Sequence, residues 1–166
     1  MKQFLLSRWA DLTGMLVSFG LVVLALVIQT VYKLEPCPLC ISQRIVFLGL
    51  ALAFLLSLIL RHRLINLLLG ATQVIVALGG AGVAIRHWWI QAHKGQMWVD
   101  CGVGFDYMFE NFPLKKMLTL IFRGTGDCAS IDWTLFGLTL PQFALVAFVS
   151  LALFSLLIIR ARRHAV

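Results

Sequence analysis

With 61% hydrophobic and 13% charged residues, this 166-residue chain is too apolar for a soluble domain, where about 45–50% is usual. The net charge of +7 would suit a nucleic-acid partner, but the basic residues form no patch interleaved with aromatics, and seven of them sit in short segments flanking apolar runs. A mean hydropathy of +0.94 places the chain among integral membrane proteins.

The first apolar run, 12–32, carries no charge; at ~1.5 Å per residue it spans about 31 Å, the thickness of the hydrocarbon core. Lys2 and Arg8 precede it, as in a signal peptide, but no small-residue cleavage site appears before Lys33, so it reads as an uncleaved first span. The second span, 40–60, is interrupted only by Arg44, which either snorkels or has a function; Gly49 and Ala53 offer a close-packing face. After the basic turn at 61–63, a third uncharged span covers 64–85, with Ala77/Ala81 and Gly80/Ala84 as small-residue pairs for helix packing. Arg86, His87, Trp88 and Trp89 close it as an interfacial belt.

Residues 86–142 form the longest polar loop, and 33–39 a shorter one on the same side. Within the long loop, Leu114, Met117, Leu118 and Ile121 make an i, i+3, i+4, i+7 stripe, predicting a short helix lying on the membrane surface. The fourth span is 143–159, with Pro141 near its start. The expected fold is therefore an all-α, single-domain bundle of four transmembrane helices, with a long external loop carrying an interfacial helix. One side gathers Lys2, Arg8, Arg61, Arg63, Arg160, Arg162 and Arg163 against Asp11 alone, close to helix ends. That density makes this side, with both termini, cytoplasmic.

Cys37, Cys40, Cys101 and Cys128 then all fall on the opposite, oxidising side. Spacing favours the pairs Cys37–Cys40 and Cys101–Cys128 out of three possible pairings. Pro36 and Pro38 suit a helix start at the first pair, and Cys40 and Arg44, at i and i+4, share a helical face. A thiol at a helix N-terminus beside an arginine is favoured as thiolate, the form that attacks disulfides. A tight Cys-x-x-Cys bridge closes too small a loop to stabilise much, which points to reactivity. Two other readings stand beside this one. Purely structural disulfides could brace a non-catalytic membrane subunit. A zinc site could use the Cys-x-x-Cys half, although Cys101 and Cys128 form no second knuckle and His87 and His93, six apart, share no helical face.

These residues, together with Cys101-Gly102-Val103-Gly104, Tyr107-Met108, Gly126-Asp127-Cys128-Ala129, Trp133, Phe136-Gly137-Leu138 and Pro141, stand in an order that resembles the disulfide bond protein B (DsbB) family of bacterial inner-membrane oxidoreductases. The resemblance covers nearly the whole chain. It implies reoxidation of a soluble periplasmic thioredoxin-fold oxidase of the DsbA type, with electrons passed to ubiquinone or menaquinone and no metal or nucleic acid involved. It further implies that Cys101 forms the mixed disulfide with the partner, that Cys128 exchanges with Cys37, and that Cys40 and Arg44 lie at the quinone. Some relatives carry a quinone-linked histidine ahead of the Cys101 motif, and His93 and Lys94 lie near that place.

Overall fold

The computed structural model describes residues 8–33, 37–60, 62–93, 134–135 and 137–163. Four helices dominate it: α1 (Arg8–Tyr32), α2 (Pro38–Ile59), α3 (Arg63–Ala92) and α4 (Leu140–Arg163). All four are long and apolar enough to cross a membrane. At ~1.5 Å per residue even the shortest, α2, reaches about 33 Å. The protein is a multi-pass membrane protein.

The side chains are sorted as a bilayer demands. Leu16, Leu24, Ile45, Leu52, Ile75 and Leu153 face outward, while Ser18, Gln43, Ser57, Gln73, His87 and Ser155 are buried between helices. In hydrocarbon a polar side chain is better placed against another helix than against lipid tails. Gln73 of α3 accordingly donates from Nε2 to Ser57 Oγ of α2 at 3.2 Å.

Packing runs α1 on α2, α2 on α3 and α3 on α4, with only slight contact between α1 and α4. Two matched close approaches set the spacing. A Cβ on Gly14 of α1 would meet the ring of Phe54 of α2 at 2.5 Å, and one on Gly80 of α3 would meet Phe148 of α4 at the same distance. Both rings are fully buried, and Phe148 also stacks on Phe47 with centroids 4.0 Å apart. Ala77, Ala81 and Ala84 are buried as their small-residue spacing predicts. Gly49 is different: it faces outward, with nothing within 4 Å of a Cβ placed there. A small-residue pair shows that some face is smooth, not which face meets a partner.

At the end carrying the termini, Arg162 Nη2 donates to Asp11 Oδ2, tying α4 to α1 where they otherwise scarcely touch. Asp11 lies in the first turn of its helix and Arg162 in the last turn of its own, so each charge also complements a helix dipole.

Ahead of α4, β1 (Thr134–Leu135) pairs antiparallel with β2 (Leu138–Thr139), and Gly137 takes φ +78° at the turn between them. Gln142 reaches back to accept the Thr139 backbone N–H at 2.7 Å, which satisfies one of the donors at the start of α4. Helix α3 runs past the expected span end at Ile85 and continues to Ala92. Arg86 does not stop it, because a charge ends an apolar span but arginine is itself a good helix former; its guanidinium lies 4.8 Å over the ring of Trp89 one turn on. The expected surface helix around 114–121 lies outside the described residues.

Candidate functional site

The extra turns of α3 bring a histidine to the cysteine pair. Cys37 is the N-cap of α2, with φ −70° and ψ 158°, and Pro38 follows at the first helical position, where its missing N–H costs nothing. From the cap, Cys37 Sγ accepts the backbone N–H of Cys40 at 3.3 Å, and its carbonyl accepts that of Ile41 at 3.1 Å. The two sulfurs lie 2.9 Å apart. An N-cap sulfur held by an amide at the positive end of a helix is well placed to carry negative charge.

Opposite stands His87 of α3, 2% exposed, with Nε2 3.7 Å from Cys37 Sγ. Its other nitrogen, Nδ1, faces Gln43 Nε2 of α2 at 3.4 Å, and Gln43 is itself buried. Whichever way the amide is turned, its partnership with Nδ1 decides whether Nε2 presents a proton or a lone pair to the sulfur. Leu39 and Ile90, each 1% exposed, and Val83 pack around the pair and keep Cys37 from solvent. Cys40 is half-buried and gives the site its opening.

One turn along α2 from Cys40, Arg44 donates from Nη1 to Gln29 Oε1 of α1. Arg44 is half-buried, and Ile45 and Leu48 beside it are turned outward. A forked cation, a thiol one turn away and an open apolar flank form a donor set suited to an apolar molecule with a carbonyl oxygen.

His93 lies at the end of α3, with Nδ1 3.0 Å from the Trp89 carbonyl and its ring stacked on Trp89 at 4.6 Å. The histidine at the thiols is His87, nearly two turns earlier. Cys101, Cys128 and Lys94 lie outside the described residues. Sequence reasoning also passed over Gln29 and Gln43. Uncharged amides inside apolar runs are a usable signal, since such residues in membrane helices find partners on neighbouring helices.

The family model described as "Disulfide bond formation protein DsbB" matches residues 7–158. Proteins named "Disulfide bond formation protein B" are similar over most of their length. That of Methylobacillus flagellatus is 56% identical over 146 residues, covering 87% of this chain and 88% of that one. That of Methylococcus capsulatus is 44% identical over 154 residues, 91% of this chain and 93% of its own. That of Nitrosococcus oceani is 37% identical over 153 residues, 90% and 89% respectively.

Proposed function

The chain belongs to the DsbB family and is a disulfide-generating oxidoreductase of the membrane; from that premise we propose that it reoxidises a DsbA-type thiol oxidase and delivers the electrons to a quinone. The observation that carries this reading is the Cys37–Cys40 pair at a helix N-terminus, with His87 against one sulfur and Arg44 one turn from the other.

Thiol exchange runs through the sulfurs in turn. A thiolate of the partner attacks Cys101 of the Cys101–Cys128 disulfide, giving a mixed disulfide and a free Cys128 thiol. The partner's second thiol resolves it, leaving the partner oxidised and the loop pair reduced. Cys128 then attacks Cys37 of the Cys37–Cys40 disulfide, and Cys101 closes back onto Cys128. The Cys37–Cys40 dithiol left behind holds two electrons and two protons. A quinone, when bound, supplies the acceptor for them.

The residues of this chain divide the remaining work. Arg44, steered by Gln29, offers forked donors to a carbonyl oxygen, and Cys40 lies on the same helical face. His87 is close enough to Cys37 Sγ to take its proton or return one, and Gln43 sets the tautomer in which it does so. Leu39 and Ile90 keep water from this exchange. In this reading the pairs face the periplasm, both termini are cytoplasmic, and the membrane is the bacterial inner membrane. The density of basic residues at 61–63 and 160–163 supports that orientation.

The test is turnover by purified protein with a reduced DsbA-type partner and a soluble quinone, followed as loss of quinone absorbance. Catalytic loss that disappears on replacing any one of the four cysteines is the expected result. A protein that braces its loops with disulfides but reduces no quinone would overturn the reading.

A further inference from the structure

The same corner of the bundle carries a second kind of chemistry. Cys37 Sγ, Cys40 Sγ and a His87 nitrogen all lie within 4.8 Å of one another. Two thiol sulfurs and an imidazole are a zinc-type donor set. Bond lengths of about 2.3 Å to sulfur and about 2.0–2.1 Å to nitrogen put tetrahedral S–N edges near 3.6 Å and S–S edges near 3.8 Å. The Cys37–His87 separation of 3.7 Å already meets the first value. The sulfurs, at 2.9 Å, must part by roughly 0.9 Å to meet the second. Cys40 is the half-buried member and the one whose sulfur would move, since Cys37 and His87 are held by the cap and by Gln43.

The residue behind the histidine fits as well. A metal-ligating imidazole almost always gives its other N–H to a fixed acceptor. Gln43, with its amide turned so that Oε1 faces Nδ1, provides that acceptor and leaves the Nε2 lone pair aimed at the sulfurs.

We propose that the reduced protein binds one thiophilic divalent cation, Zn²⁺ or Cd²⁺, through Cys37 Sγ, Cys40 Sγ and His87 Nε2, and that the bound metal blocks disulfide formation at this pair. Binding releases the two thiol protons to solvent and involves no electron transfer. The disulfide form, having no thiolate to offer, does not bind. With three protein ligands the fourth position is open to water, so a chelator can remove the metal. Binding itself follows from the geometry alone; the arrest of turnover rests on the activity proposed above.

The experiment uses the full chain in detergent with Cys101→Ser and Cys128→Ser, so that only one thiol pair remains. It is reduced with a phosphine, freed of reductant and titrated anaerobically with Cd²⁺. Uptake of one Cd²⁺ per chain is expected, with a near-ultraviolet thiolate-to-cadmium absorption that is absent from the disulfide form. His87→Gln should weaken binding at least tenfold, and Gln43→Leu should weaken it about tenfold or more by freeing the imidazole to turn. No uptake by the reduced chain, or equal affinity in both variants and the parent, overturns the site. Zn²⁺ added to the reduced four-cysteine protein should stop quinone turnover, and a chelator should restore it. Undiminished turnover at saturating Zn²⁺ overturns the block. A protein that binds Cd²⁺ but never turns over leaves the metal site standing and removes the proposed activity instead.

Discussion

Gln29 of α1 accepts a hydrogen bond from Arg44 of α2, so the position of the guanidinium is set by a helix that carries none of the thiols. A hydrogen bond to a charged group contributes about 1.5–3 kcal/mol. Gln29→Leu should therefore raise the KM for quinone by roughly tenfold or more while the rate of thiol exchange with the partner holds. Arg44→Lys should restore charge without the forked geometry and recover only part of the quinone affinity lost in Arg44→Met. Equal KM values in Gln29→Leu and the parent would separate Arg44 from this contact.

His87 and His93 give opposite expectations. With a proton acceptor missing beside Cys37, His87→Gln should slow reoxidation of the Cys37–Cys40 pair by about a hundredfold, the low end of what positioned acid–base groups contribute. His93→Gln, which among the described residues loses contacts within its own helix end and none with the thiols, should leave that rate unchanged. Single-turnover oxidation of reduced protein by quinone, monitored by thiol trapping, measures both.

The glycine–phenylalanine contacts predict where the bundle tolerates a methyl group. Gly80→Ala must displace the buried, stacked Phe148 ring and should destabilise by about 1–3 kcal/mol. Gly82→Ala, whose added carbon meets nothing, should be neutral or slightly stabilising through helix propensity. Thermal unfolding in detergent, compared between the two, decides.

Breaking the Asp11–Arg162 pair should cost stability but not catalysis, because it lies at the end of the bundle away from the thiols. Asp11→Leu leaves a half-buried guanidinium without its carboxylate and should lose about 1–3 kcal/mol, the cost of a buried hydrogen-bonding group left unsatisfied. The double variant Asp11→Leu/Arg162→Leu should recover part of that loss, since neither charge then remains unpaired. A double-mutant cycle on unfolding free energies reads the coupling.

Orientation is open to chemical labelling. In a cysteine-free background, His62→Cys should resist a membrane-impermeant maleimide in intact spheroplasts, and Leu138→Cys should react. Both sites are exposed, so accessibility within the protein does not confuse the result. Reaction at position 62 from outside would invert the topology.

The four spans were legible because a bilayer imposes one length and one polarity on every helix, and uninterrupted apolar runs announce themselves. The Cys37-to-Arg44 stretch was legible for a similar reason: a proline at the first helical position and an i, i+4 spacing are local facts. His87 was not. Arg86 read as the close of the third span, but a charge that ends an apolar run does not end a helix, which continues and carries His87 to a thiol fifty positions away. No spacing rule reveals a contact set by the alignment of two antiparallel helices. Gln29–Arg44 was hidden in the same way, and Gly49 shows the converse, a local pattern that tertiary packing leaves facing outward.

The connection between α2 and α3 is only a few residues long, at 60–62, and the thiol–imidazole contact sits at the far ends of the two helices it joins. From that turn to the contact each helix is thus a lever of roughly 33–36 Å. Opening the crossing angle by one degree moves the tips apart by about 0.6 Å, so three degrees would carry Cys37 and His87 beyond any direct interaction. The thiol–imidazole separation therefore registers the crossing angle of α2 and α3 more sharply than any contact nearer the turn, and the Gln73–Ser57 hydrogen bond between the same two helices helps to hold that angle.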